Sequence, residues 1–302
     1  IGQEVSLLNA LDFMRLTEEG EPDLNAIRNN LKPLLNTGEL YITQGSICRN
    51  HKGQTDNLRR GGSDYTASLI GAAAKADEVQ IWTDIDGMHN NDPRIVKNTN
   101  PIAHLTFDEA AELAYFGAKI LHPSTILPAQ KEGIPVKLKN TMDPEAEGTT
   151  ISTAGSAGDI KAIAAKDGIT AIKIKSSRML LAHGFLRRVF EIFEKHKTSI
   201  DMITTSEVAV SVTIDDDQNL TAILKELEQF CSVAIDLDQT IVCIVGSMVS
   251  EKKGLVKQIF NALSDVPVRM VSYGGSRNNI SILINSKDKE QALINLNEGL
   301  FS

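Results

Sequence analysis

The second half of the chain repeats itself at an offset of 70 residues, and this constrains the fold more than any other feature. Gly184 is followed by Phe185, Leu186, Val189, Phe190 and Phe193; Gly254 is followed by Leu255, Val256, Ile259, Phe260 and Leu263. Both runs place apolar side chains on one helix face in the same phase. The offset also carries the alternating strand around Ile172 and Ile174 onto Val242 and Ile244. It carries Val208, Val210, Val212 and Ile214 onto Asn278, Ile280, Ile282 and Ile284. Each copy therefore reads β-α-β-β-α, and a strand over 232–237 completes the first as βαββαβ, a ferredoxin-like unit. Adding 70 to that strand runs past Ser302, so the second copy needs a strand from elsewhere. The run over 160–165, just before the first copy, is expected to supply it, which inserts the first unit (169–239) into the second (160–168 plus 240–302).

The 302 residues predict two domains, and the Gly-, Ser- and Thr-rich stretch over 142–160 marks the boundary between residues 1–150 and 160–302. Before it, short strands over 41–43, 79–82 and 136–138 alternate with helical patterns, as in an α/β sheet with crossover helices. Thr106 and Glu109 form a capping box and Gly117 a stop signal, which predicts a helix over 107–116. The alanine-rich run over 65–76 predicts another. A net charge of −8 disfavours nucleic acid and anionic membrane as partners and leaves a small metabolite. Cys48, Cys231 and Cys243 have no paired spacing and fit a reducing cytoplasm, and no apolar run reaches 18 residues. The chain opens on Ile1, so a fragment of a longer protein is expected.

Three stretches carry candidate chemistry. In "LRRGGSDYTASL" (58–69), Arg59 and Arg60 precede Gly61, Gly62, Ser63 and Asp64 at a helix start. This reads either as a tight turn with Ser63 as the N-cap or as an anion cradle of open N–H groups. In "IWTDIDGMHNNDPR" (81–94) a strand enters a polar loop, where open α/β sheets bind ligands. Thr83 and Asp84 suit a nucleotide's polar edges and Arg94 a phosphate, or the loop is simply solvated. In "YFGAKILHP" (115–123), Lys119 complements a helix end, and His122 reads as a cap or packing residue. No GxxxxGK[ST], GxGxxG after a strand, GxSxG or HExxH occurs, which disfavours Walker-type kinases, dinucleotide oxidoreductases, serine hydrolases and zinc peptidases.

Taken in order, "TQG", "RGGSDYTA", "IWTDIDGMHNNDPR", "FGAKILHP" and "PVKLKNTMDPEAEGTTI" resemble the aspartokinases over nearly the whole chain. The resemblance implies the C-terminal part of an amino-acid-kinase (carbamate-kinase-like) α/β domain, followed by two ACT units with the first inserted in the second. It implies ATP-dependent phosphorylation of the β-carboxylate of L-aspartate to 4-phospho-L-aspartate, the first step of lysine, threonine and methionine biosynthesis. It assigns Arg60, Gly62, Ser63 and Asp64 to aspartate, with Asp64 on the amine and Arg60 on a carboxylate. Thr83, Asp84, His89, Arg94 and Lys119 fall to ATP, with Mg2+ carried by the nucleotide and no metal bound by protein ligands alone; His89 stands where the family often has tyrosine. Family members also begin with a Lys-Phe-Gly-Gly phosphate clamp that these 302 residues do not contain, so this chain by itself is expected to be inactive.

In the repeat, Asp201 has Val271 as its counterpart 70 residues on, so an effector amine is expected at the first copy. Asp201 also reads as a strand-edge residue in the run 198–207. The resemblance to lysine-sensitive members assigns Met179, Phe185, Leu186, Ser199, Ile200, Asp201, Thr205 and Ser206 to lysine, with Ala182 replacing a residue that is polar in some relatives. It also implies a cytoplasmic homodimer joined edge to edge through its ACT units, with a higher oligomer open. The rival reading is an amino-acid sensor with a vestigial kinase-like half.

Overall fold

A computed structural model describes residues 4–58, 61–116, 123–155, 160–175, 184–247 and 249–301. The chain divides into two compact units, Ile1–Asn90 with Asn100–Ser156, and Asn91–Thr99 with Ala157–Ser302. The excursion Asn91–Thr99, expected in the first domain, thus counts with the second.

In the first unit, β1 (Val5–Leu8) leads through α1 (Ala10–Phe13) and α2 (Leu24–Leu31) to β2 (Leu40–Thr43), which pairs with β1 in parallel. Next come the hairpin β3 (Ile47–Arg49) and β4 (Thr55–Asn57), then α3 (Gly62–Ala74) and β5 (Val79–Thr83). After β6 (His104–Thr106), α4 (Phe107–Tyr115) and α5 (Leu127–Glu132), the unit ends with β7 (Val136–Asn140) and β8 (Thr149–Ser152). Strands β5, β7, β8 and β6 form one sheet in that order, with β5 and β7 parallel. Phe13, Met14, Ile27, Leu31, Cys48 and Leu69 pack α1, α2, β3 and α3 into one core. The capping box is present: Glu109 N–H donates to Thr106 Oγ1 at 3.1 Å and Thr106 N–H to Glu109 Oε2 at 2.8 Å, satisfying two donors at the start of α4. Gly117 lies outside the described residues.

The second unit has the inserted architecture that the repeat implies. Its elements are β9 (Ile160–Lys175), α6 (Phe185–Lys195), β10 (Ile203–Thr205), β11 (Ala209–Ile214), α7 (Leu220–Leu227), β12 (Ser232–Gly246), α8 (Leu255–Ala262), β13 (Val268–Ser272), β14 (Asn279–Asn285) and α9 (Lys289–Phe301). One six-stranded sheet runs β10-β11-β9-β12-β14-β13. Two long strands serve both copies: the end of β9 pairs with β11, whereas its start pairs with the end of β12, as Val242 opposite Ala165 and Ile244 opposite Ile163. Residues 160–165 therefore fill the place that the second copy lacked. The run 198–207 is a strand only over Ile203–Thr205, shorter than expected.

Left-handed glycines, Gly184 (φ 87°) and Gly254 (φ 81°), open α6 and α8, a backbone state that is strained for residues with a Cβ. Val189 and Phe193 bury the face of α6 with Ile172, Val212 and Ile223, while Ile259 and Leu263 do the same with Val242, Ile282 and Leu293. Each such fully buried side chain contributes about 1.5–3 kcal/mol. Among the described residues no helix is long and apolar enough to cross a membrane.

Candidate functional site

Strand β2 ends at Thr43 and continues through Gln44, Gly45 and Ser46, a turn that lies against the start of α3. Thr66, buried in α3, accepts the Ser46 N–H at 2.9 Å and donates its hydroxyl to Gly62 O at 2.7 Å. Gln44 Oε1 accepts the Ala10 N–H at 2.9 Å. Glycines permit the approach: a Cβ on Gly45 would stand 3.1 Å from Ser63 Cα, and one on Gly62 would stand 3.1 Å from Ser46 Cα.

The expectation that Ser63 caps the helix is corrected here. Gly61 is the N-cap at φ 70°, and Ser63 sits exposed inside the first turn. Among the described residues no side chain caps the helix. Gly62 is buried, and burial pushes the Asp64 carboxyl above its usual range. Sequence reasoning quoted Thr43 only within "TQG" and gave it no role; its Oγ1 is buried with no hydrogen-bond partner among the described residues. It missed Ser46, whose left-handed φ of 69° only the folded turn reveals. Arg59 and Arg60 lie outside the described residues.

At the carboxyl end of β5, Thr83 Oγ1 donates to Asp84 Oδ1 at 3.1 Å, and His89 Nε2 lies 2.8 Å from Asp86 Oδ1. Asp84 and Asp86 are exposed. The loop is seated by Thr149 Oγ1, which accepts the Met88 N–H at 2.9 Å, and by Gly87, where a Cβ would stand 3.1 Å from Thr149 N. These three candidates, Thr83, Asp84 and His89, share one loop. Arg94 belongs to the excursion of the second unit, where Asp92 accepts its Nε at 2.9 Å and Nη2 at 2.7 Å. That fork holds the Asp92 carboxyl below its usual range. The Arg94 side chain is 78% exposed, which leaves its Nη1 edge outside the pair. Lys119 and His122 lie outside the described residues, and among those described no group of three or more His, Cys, Asp or Glu is placed to hold a metal ion.

In the first repeat copy, Phe185 is buried at the start of α6, Leu186 and Ser199 are exposed, and Ile200 packs partly buried on the core. Thr205 ends β10, and the Ser206 N–H donates to Ala209 O at 2.8 Å in the turn to β11. The Asp201 side chain is fully buried, and Lys166 Nζ donates to its Oδ1 at 2.9 Å while also reaching Asp215 Oδ2 at 2.8 Å. Asp201 is therefore half of a buried ion pair rather than an exposed edge residue. Lys166 lies 35 residues away on β9, with no local pattern to announce it. Met179 and Ala182 lie outside the described residues.

Residues 3–140 match the model of the amino acid kinase family, and residues 172–228 and 242–300 match that of the ACT domain. The chain is 40% identical over 294 residues to lysine-sensitive aspartokinase 3 of Escherichia coli (strain K12), an alignment covering 93% of this chain and 65% of that protein. The chain thus spans less than two thirds of that relative's length. The crystal structure of E. coli aspartokinase III in complex with aspartate and ADP (R-state) matches with a TM-score of 0.87 at 37% identity, covering 99% of this chain and 70% of that one. The same enzyme in complex with lysine and aspartate (T-state) matches with a TM-score of 0.83 at 38% identity, over the same shares of the two chains. With the amino acid kinase and ACT models matched in that order and these relatives covering nearly the whole chain, the chain belongs to the aspartokinase family.

Proposed function

We propose that the protein is an aspartate kinase that transfers the γ-phosphoryl group of ATP to the β-carboxylate of L-aspartate and is inhibited by lysine through its first ACT unit. The observation that carries the reading is the start of α3, where Gly61 is the N-cap, no side-chain cap is seen among the described residues and Asp64 lies in the first turn. A molecule with an ammonium and two carboxylates suits these groups: Asp64 for the amine and the N–H groups of Gly62 and Ser63 for a carboxylate, to which the family resemblance adds Arg60. The family resemblance gives Thr83, Asp84, His89, Arg94 and Lys119 to ATP. Phosphoryl transfer of this kind asks the protein for positioning and charge more than for covalent chemistry. Mg2+ enters with the phosphates, and the exposed carboxylates of Asp84 and Asp86 are the oxygen donors that such an ion takes.

In the regulatory unit, Asp201, Ser199, Ile200, Thr205 and Ser206, with Met179, Phe185 and Leu186, form the lysine site. The carboxylates of Asp201 and Asp215 beside Lys166 are the groups that suit an ammonium there. β10 and β13 are the edges of the sheet, and pairing through such edges joins two copies into a homodimer. The kinase reading is tested by trapping the acyl phosphate with hydroxylamine, using the purified protein in its native length. Aspartate- and ATP-dependent hydroxamate, lost in Asp64→Asn, is the expected result. No hydroxamate, with lysine still bound, favours the rival amino-acid sensor.

A further inference from the structure

The turn after β2 is bonded on both sides of the sequence stretch that contains Arg59 and Arg60. Ser46 O accepts the Leu58 N–H at 2.8 Å, before that stretch, and the Ser46 N–H donates to Thr66 Oγ1 at 2.9 Å, after it. Gln44 fastens the other end of the turn through the Ala10 N–H. Thr66 is 3% exposed, and its hydroxyl gives its one proton to Gly62 O at 2.7 Å, leaving its lone pairs to accept from Ser46. One buried hydroxyl thus ties the backbone of the turn to the backbone at the start of α3. Ser46 stands at φ 69°, a left-handed state that is unfavourable for a residue with a Cβ and persists only where the surroundings hold it. The approach is also close, since a Cβ on Gly45 would stand 3.1 Å from Ser63 Cα and one on Gly62 the same distance from Ser46 Cα.

We propose that Thr66 is a positioning residue for substrate: by holding the Thr43–Ser46 turn against Gly62 and Ser63, it sets the width of the aspartate site. The inference rests on reading the start of α3 as that site. Thr66 acts through Ser46 and Gly62 because its proton is already committed, so its loss belongs in aspartate binding rather than in the chemical step. Valine has the shape of threonine but sets a methyl group where the hydroxyl accepts at 2.9 Å, and carbon there needs about 3.5 Å or more. The turn is then pushed off the helix, and the Ser46 N–H loses its partner. Serine keeps the hydroxyl and both bonds.

The test is hydroxylamine-trapping kinetics, with hydrogen exchange at the Ser46 amide, on the native-length protein carrying Thr66→Val or Thr66→Ser, with Thr106→Ala as a variant that weakens folding away from the turn. Thr66→Val should raise the KM for aspartate about tenfold, as for one lost buried hydrogen bond, and speed Ser46 exchange by a similar factor, while kcat and the KM for ATP stay within about twofold. Thr66→Ser should bring both readouts back to within about twofold of wild type, and Thr106→Ala should leave the KM for aspartate unchanged. Where the valine variant does not fold, Thr66→Ala removes the hydroxyl without the added contact, and its comparison with serine decides. Faster Ser46 exchange with a wild-type KM for aspartate, or a serine variant as impaired as the valine one, overturns the proposal and leaves the kinase reading standing. A wild type that neither forms hydroxamate nor binds aspartate in calorimetry overturns that reading and the substrate named here with it. If aspartate binds without turnover, the same tenfold loss and serine recovery are expected in its affinity, and an affinity unchanged in Thr66→Val overturns the proposal.

Discussion

Replacing Lys166 by methionine removes the cation from a carboxylate that has no exposure to water. The Asp201 side chain is 0% exposed and Lys166 17%, with contacts of 2.9 Å to Asp201 and 2.8 Å to Asp215. Breaking a buried pair from one side costs about 3–5 kcal/mol, because the remaining charge loses its partner without regaining water. Asp215, at 38% exposure, regains part of its hydration, which places the expected loss near the lower end, about 3 kcal/mol. The solvent-facing pair Lys195–Glu226, with side chains 63% and 28% exposed, sets the contrast: Lys195→Met should lose at most about 1 kcal/mol. Trp82 lies in the first unit and is the only tryptophan, so fluorescence does not follow this change. Native-state hydrogen exchange at the Asp201 amide, bonded to Thr213 O at 2.9 Å, does. Lys166→Met combined with Asp201→Asn should recover much of the loss, giving a coupling of about 2 kcal/mol or more. A loss under about 1 kcal/mol, indistinguishable from Lys195→Met, would refute the claim that this pair is buried and structural.

Three further outcomes follow from the first unit. Gly62→Ala drives a Cβ to 3.1 Å from Ser46 Cα in the proposed aspartate site, so calorimetry should show weakened aspartate binding and unfolding a loss of about 1–3 kcal/mol. Asp64 is pushed up from 3.8 by burial, so its ionised form opposes folding at neutral pH, and that cost fades as pH falls through the raised folded value. Asp64→Asn should therefore raise the melting temperature at pH 7 while abolishing aspartate binding, and wild-type binding should fade as acidification passes the raised value of Asp64. Thr106→Ala removes a capping box and should cost about 1 kcal/mol, within 0.5–2, read by denaturant unfolding of the Trp82 signal.

What the sequence discloses is local or periodic. The phase shared by Val189 and Ile259, the glycines before α6 and α8, and the surplus strand over 160–165 determine the inserted pair, because each follows from spacing alone. Thr106 and Glu109 disclose α4 in the same way. What stays hidden depends on partners distant in the chain. Ser63 resembles an N-cap by composition, yet Gly61 is the N-cap in a left-handed conformation, and Gly62 after it lies against Ser46. Asp201 advertises a free carboxylate until β9 supplies Lys166. The excursion Asn91–Thr99 looks like a polar loop of the first domain, and only packing of Val96 and the amide of Asn91 on α9 assign it to the second.

The most direct test of the account is calorimetric titration of the protein with lysine, threonine and methionine in turn. The account predicts saturable heat with lysine, absent in Asp201→Ala and retained in Lys195→Met. No heat with lysine, or lysine bound equally well after Asp201→Ala, would contradict it.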